Sequence, residues 1–281
     1  LDRTFNYNTR RAKELLELFL EYHPDIRFHL EIHPALLSEE LKEELKHLPE
    51  GLLHLEAGIQ SLREPVLEKS RRMGKLTDAL EGLKFLCSLP NMETHADLIA
   101  GLPLYHLSEI FEDIRVLAAY GAGEIQLESL KLLPGTEMRR RAEELGIQYS
   151  PLPPYEVLQT REINVSELQT ARQLSRLLDG FYNTPAWQSI TRKLILKKEK
   201  FLYRFLEHLI QIGLIDQPIS LEKRGLILYE FCKHNYPEYQ LEASIAWIEA
   251  GMSLKKLPAE KVKTKRQVPP ENWQVLYGQY K

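Results

Sequence analysis

The sequence predicts an α/β fold: a parallel sheet whose strands are separated by helices, followed by an all-helical C-terminal domain. Three observations carry this expectation. Residues 1–150 alternate short runs of period 2 with amphipathic runs of helical period. Four of the period-2 runs repeat the same phase of polar residues. From about Ser166 to about Gly251 only the helical period persists.

The elements follow in order. Thr9–Tyr22 is predicted helical, with Leu15, Leu16, Phe19 and Leu20 on one face and Pro24 as its stop. Ile26–Ile32 reads as a strand. Ser38 caps a helix running to about Leu48, whose first turn holds Glu39 and Glu40, as the helix dipole favours. Leu52–Gly58 is a strand, Leu76–Leu89 a helix and Glu93–Gly101 a strand. Leu107–Tyr120 is a helix, Glu124–Leu133 a strand, and Gly135–Leu145 a helix ended by Gly146. Strands separated by helices imply crossover connections and a parallel sheet. The proline-rich turn Ser150–Pro154 divides the chain into 1–150 and a helical domain, 151–281, whose basic tail Lys255–Lys281 reads as loosely structured.

Composition narrows the function classes. In 281 residues, 43% are hydrophobic and 27% charged, which excludes a disordered or collagen-like chain. No apolar run approaches the ~18 residues of a membrane span, so no membrane partner is expected. Cys87 and Cys232 are the only cysteines, which excludes a disulfide framework and points to a reducing, cytoplasmic compartment. The net charge of −3 divides into −8 over residues 1–150 and +5 over the remainder. The acidic half is a poor match for nucleic acid, and the basic stretches Arg192–Lys200 and Lys255–Arg266 read as solvated helix faces.

The chemistry lies in the strand phase. Buried parallel strands usually read as continuous apolar runs. Here His29, Glu31 and His33 alternate with Phe28, Leu30 and Ile32, and His54, Glu56, Gly58 and Gln60 with Leu55, Ala57 and Ile59. Glu93, His95 and Asp97, then Gln126 and Glu128, repeat the pattern. Burying a row of ionisable groups is costly unless something pairs with them. A barrel or half-barrel with a wet, ligand-holding interior supplies a reason; a sheet with helices on one side and solvent on the other is the alternative. Ligands sit at the C-terminal ends of such strands, here Glu31–His33, Gln60–Ser61, Asp97–Pro103 and Leu130–Gly135. His29, His33 and His95 form a further candidate set, for a metal-dependent hydrolase. There is no Gly-x-Gly-x-x-Gly, no Gly-Lys-Ser/Thr loop and no Gly-x-Ser-x-Gly elbow.

Several of these strands resemble those of the radical S-adenosylmethionine (radical SAM) enzymes. Leu53–Ser61 (LHLEAGIQS) is similar to the family's fourth barrel strand, whose usual continuation places a leucine and then an arginine, here Leu67 and Arg72, within twelve residues of the glutamine. Asp97–Pro103 (DLIAGLP) resembles the fifth strand, Leu130–Thr136 (LKLLPGT) the sixth and Leu30–Pro34 (LEIHP) the third. Asp2–Asn6 (DRTFN) resembles the end of the second strand in cobalamin-associated members, some of which carry the name magnesium-protoporphyrin IX monomethyl ester oxidative cyclase. The resemblance covers residues 1–150 and implies a partial TIM-type (β/α) barrel of about strands three to six.

It implies a reaction as well: an oxidoreductase-type cleavage of S-adenosylmethionine at a [4Fe–4S] cluster, giving a 5′-deoxyadenosyl radical, with cobalamin as a further expected cofactor. Carried over residue by residue, Glu31 and Arg72 would contact the methionine carboxylate and amine region. Gln60 and Asp97 would hold the ribose hydroxyls, and Ile99, Gly101 and Leu102 would lie against adenine. The family's Cys-x3-Cys-x2-Cys loop is absent. The resemblance therefore implies a C-terminal fragment of a longer enzyme, inactive alone, whose cluster ligands lie upstream in the same polypeptide and whose small-molecule substrate is unknown. The alternative is a cluster-free barrel serving as a ligand-binding or interaction module. Leu104 stands where many members have glycine, which sets the adenine loop apart.

Overall fold

The structure is a computed structural model and describes residues 4–258. Asp2 and Arg3, Trp273 and most of the basic tail lie outside the described residues. A four-stranded parallel sheet forms the centre, in the order β1 (Phe28–Ile32), β2 (Leu53–Gln60), β3 (Glu93–Ala100) and β4 (Glu124–Ser129). The strands are joined through α2 (Glu39–His47) and through α3 (Glu64–Lys69) with α4 (Leu76–Ser88), then α5 (Leu107–Tyr120), while α1 (Thr9–Leu20) precedes β1. Ser38 accepts a hydrogen bond from the Leu41 amide and starts α2 where expected.

One phase of each strand is apolar and packs under the helices. Leu53, Leu55, Ala57 and Ile59 of β2, Ala96, Leu98 and Ala100 of β3, and Ile125 and Leu127 of β4 are all buried. They meet Leu41 and Leu45 of α2, Leu83 and Leu86 of α4, and Ile110, Ile114 and Leu117 of α5 in one hydrophobic core. That burial is the main stabilising term, at about 25 cal/mol per Å² of apolar surface.

The two edges of the sheet are closed by asparagine side chains. Asn6 accepts from the His33 amide (2.8 Å) and donates to the His33 carbonyl (2.9 Å) at the edge strand β1. Asn183 does the same for Ile125 of β4, accepting at 2.9 Å and donating at 3.0 Å. Each amide mimics one residue of a neighbouring strand and satisfies main-chain groups that an open edge would leave bare.

Two local expectations are corrected. The strand from Glu124 ends at Ser129 rather than Leu133, and Lys131 forms a lone antiparallel bridge to Glu156. The helix expected over Gly135–Leu145 is two short ones, α6 (Glu137–Arg140) and α7 (Ala142–Leu145), broken at Arg141. Gly135 itself sits at φ 81°, outside the helix, and Thr136 supplies the cap by accepting from the Arg139 amide. A small hairpin, β5 (Gln148–Tyr149) with β6 (Val157–Gln159), frames the proline-rich turn.

The helical part comprises α8 (Val165–Leu177), a π-turn at Leu178–Tyr182, α9 (Pro185–Lys197), α10 (Phe201–Gln211), α11 (Leu221–Asn235) and α12 (Gln240–Glu249). It joins the sheet directly. Tyr182 donates to the Ala122 carbonyl at 2.7 Å and Arg192 to the Ala118 carbonyl at 2.8 Å, and the core runs without a break from β4 into α8 and α9.

Candidate functional site

The polar phase of the strands forms one face of the sheet, and its two ends differ. In the register of the strands, His29 lies beside His54, Glu31 beside Glu56, Glu56 beside His95, and Gly58 beside Asp97, which in turn lies beside Gln126. The polar residues therefore form cross-strand rows, as the alternation predicts.

At the C-terminal end of the sheet, Thr4, Glu31, Ile32, Glu56, Gly58, Gln60, Arg72 and Asp97 line a cavity of about 120 Å³. Arg72 comes from the connection after α3 and reaches back over β2, where its Nη2 donates to the Gly58 carbonyl at 2.6 Å. Gly58 makes this approach possible: a Cβ there would stand 3.0 Å from Arg72 Nη2 and 3.1 Å from Gln60 Nε2. Gln60 ends β2 at φ 73°, beside a shift of register between Gly58 and Gln60.

The electrostatics of this end are those of an incompletely paired site. Burial lowers the pKa of Arg72 against the pull of Glu31 and Asp97. Asp97, 8% exposed, is pushed up to about 8 by burial and by the neighbouring carboxylate of Glu56. Burial also raises Glu31, with Glu56 adding to it. In Glu56 burial acts in the same direction, but hydrogen bonds with His29 and Asp97 outweigh it and hold the group below its ordinary range. Asp97 Oδ1 and Arg72 Nε are buried and have no hydrogen-bond partner among the described residues. Buried polar atoms are normally paired, so two unpaired ones on residues that line a cavity mark a place for a ligand.

A second hollow, about 320 Å³, shares Thr4, Gln60 and Arg72 with the first and adds the apolar side chains of Leu67, Met73, Ile99, Leu102, Leu130 and Met138. Of the residues singled out in the sequence, Glu31, Gln60, Arg72 and Asp97 thus share one cavity, with Ile99 and Leu102 in the adjoining wall. Gly101, at φ 92°, faces Val157, Leu130 and Leu168 instead.

His29, His33 and His95 do not come together. His33 lies in the second hollow, where burial and Arg72 lower its pKa to about 4. His29 and His95 cluster with His54 at the other end of the sheet, with ring centroids 3.9–6.0 Å apart. Among the described residues no group of three His, Cys, Asp or Glu is placed to hold a metal ion. The cysteines offer no substitute. Cys87 on α4 is half-buried and Cys232 on α11 is buried, and burial pushes their thiols up to about 11 and about 12. The two cysteines stand on separate helices and are the only ones in the sequence, so they cannot supply a three-thiolate loop.

Comparison with known proteins adds the following. A family model described as "Protein of unknown function (DUF4080)" matches residues 143–256, the hairpin and helical part. No curated protein is significantly similar in sequence. Three of the solved structures similar to it are as follows. One is the radical S-adenosylmethionine methyltransferase TsrM from Kitasatospora setae with tryptophan substrate and a SAM analogue bound, at 15% identity and TM-score 0.46, covering 75% of this chain and 52% of that one. The same enzyme with cobalamin and a [4Fe–4S] cluster bound gives 15% identity and TM-score 0.45, over 89% of this chain and 51% of that one. Coproporphyrinogen III oxidase (HemN) from Escherichia coli gives 15% identity and TM-score 0.39, over 59% and 43%. The chain spans about half the length of the TsrM structures. Among the described residues no helix is long and apolar enough to cross a membrane.

Proposed function

We propose that this chain supplies the S-adenosylmethionine-holding part of a radical SAM enzyme. The observation that carries the reading is the pair of buried, unpartnered polar atoms, Asp97 Oδ1 and Arg72 Nε, at a cavity that opens onto an apolar hollow. S-adenosylmethionine has the matching division: a zwitterionic amino-acid end, ribose hydroxyls and a flat apolar base.

The roles follow from chemistry. The Arg72 guanidinium offers a fork to the methionine carboxylate. Glu31, at the rim, accepts from the ammonium. Asp97 and Gln60 hold the ribose hydroxyls, and Ile99 and Leu102 flank the adenine. An arriving cation also favours the ionised form of Asp97, whose proton is then released.

Reductive cleavage of this cofactor requires a [4Fe–4S] cluster, and the two cysteines do not suit it. Under this reading the cluster's thiolates come from outside residues 1–281, from an upstream part of the same polypeptide, and cobalamin is a second cofactor of that longer enzyme. The chain's own residues bind and orient the cofactor.

Calorimetric titration of the chain with S-adenosylmethionine tests the reading. Saturable binding is expected, weakened about 100-fold by Arg72→Ala, as for the loss of a charge-assisted bidentate contact. Equal affinity in the variant would refute it. In the intact parent enzyme, prepared anaerobically, Arg72→Ala or Asp97→Ala is expected to abolish cofactor cleavage.

A further inference from the structure

Two connections build the cavity wall, and one buried carboxylate ties them together. The connection after β2 begins at Gln60 and continues through Ser61, Leu62 and Arg63. The connection after β3 carries Leu102, Leu104 and Tyr105. Each contains a non-glycine residue in the left-handed region, Gln60 at φ 73° and Leu104 at φ 66°. Side chains disfavour that conformation, and it persists where the surroundings hold it.

Asp113 of α5 is the common partner. Its Oδ2 accepts from the Leu62 amide at 2.9 Å and from the Tyr105 hydroxyl at 2.6 Å. Its Oδ1 accepts from Arg63 Nε at 2.9 Å, with Arg63 Nη2 at 2.8 Å. The Asp113 side chain is 1% exposed, and Tyr105 is fully buried. Asp113 falls at the margin of the buried face of its helix, beside Ile110, Ile114 and Leu117. A hydrophobic side chain of similar size would often serve stability there as well as a buried ion pair does. What an apolar residue cannot do is bind the two connections to one point.

We propose that Asp113 is a positioning residue for the cofactor site, holding Gln60 and the Ile99–Leu102 wall in register through Leu62, Arg63 and Tyr105. It does not line the cavity itself. The inference rests on the reading of that cavity as an S-adenosylmethionine site. Displacing a positioned group by a fraction of an ångström is enough to change affinity severalfold or more.

The test uses the whole chain with Asp113→Asn, Tyr105→Phe and Asn91→Ala. Asn91 donates to the Leu45 and Leu48 carbonyls at 3.0 and 2.7 Å, far from the cavity, and serves as a control for stability loss alone. S-adenosylmethionine affinity, thermal midpoint and amide hydrogen exchange are measured on each. Asp113→Asn is expected to weaken binding about tenfold and Tyr105→Phe about threefold. Both should speed exchange together at residues 60–63 and 101–105. Asn91→Ala should lower the midpoint without changing affinity. Unchanged affinity in Asp113→Asn, an equal loss in Asn91→Ala, or faster exchange in one connection only would overturn the proposal. Should Asp113→Asn not fold, Tyr105→Phe carries the same comparison. If the native chain binds no S-adenosylmethionine, the reading of the site fails, while exchange in the two connections still decides whether Asp113 couples them.

Discussion

The two ends of the polar sheet face are built from the same strands, in the same phase, from the same kinds of residue, yet they are organised differently. At the N-terminal end the charges pair internally. Arg27 donates to Glu93 at 2.8 Å and lies 2.7 Å from His54 Nδ1, His29 pairs with Glu56 at 2.9 Å, and His95 lies 2.9 Å from Glu124 and from Gln126. Two buried nitrogens at this end make no hydrogen bond, His54 Nε2 and His95 Nε2, and the second lies within ion-pair distance of the Glu124 carboxylate. At the C-terminal end Arg72 finds a carbonyl, Asp97 finds only another carboxylate, and both keep a buried polar atom unpaired. Residue type does not separate a structural cluster from a ligand site; the balance of partners does.

That comparison breaks most sharply by mutation at the two ends. Arg72→Ala is expected to lower S-adenosylmethionine affinity about 100-fold, whereas His54→Ala should leave it within about twofold. Titration calorimetry on the two variants checks this, and a loss of affinity in the histidine variant would erase the distinction. Glu31→Gln, at the exposed rim, should cost about fivefold, because screening weakens an accessible charge.

The protonation states give a second contrast. Folded Asp97 keeps its proton up to about pH 8, whereas an unfolded aspartate ionises near ~3.9. The folded chain binds the extra proton between those limits, so this group makes stability fall as pH rises, by up to about 1.4 kcal/mol per pH unit. His33 has the opposite sign: its folded pKa of about 4 lies below the unfolded value of ~6.5, so the unfolded chain binds the extra proton and stability rises with pH across that interval. The two slopes oppose one another from about pH 4 to about pH 6.5, and Asp97 acts without His33 from there to about pH 8. Chemical denaturation across this range should show Asp97→Asn removing the decline above about pH 6.5. A decline that persists in the variant would place its source elsewhere. The smallest expected effect is calorimetric. At pH 7 binding should release a fraction of one proton from Asp97, read as a buffer-dependent heat that vanishes in Asp97→Asn.

Much of this was legible in the sequence because the strands are short, alternate strictly and share one phase. Leu107–Tyr120 coincides with α5, β1 to β3 fall within two residues of where the alternation puts them, and β4 starts as expected and stops four residues short. The six-residue α3 was not legible, since fewer than two turns give no period to read. The hairpin was masked by the prolines it surrounds. Arg72 was marked by the resemblance alone: it stands in an irregular connection, and its return to the sheet depends on the missing side chain at Gly58. Asp113 was missed, although a signal was present. It is an acid at the margin of the buried face of an amphipathic helix, where burial requires partners that only the folded connections supply. The histidines misled in the other direction. They alternate along the strands, but His33 bends away after β1 into the second hollow while His54 completes the cluster.

The central claim is that ligand binding belongs to the C-terminal end of this face and not to the histidine end. The most direct measurement is an amide correlation spectrum of the labelled chain during titration with S-adenosylmethionine. The account predicts saturable shifts at Glu31, Gly58, Gln60, Ile99 and Leu102, with His29, His54, His95 and Glu124 unmoved. Shifts centred on the histidines, or none at all at saturating cofactor, would contradict it.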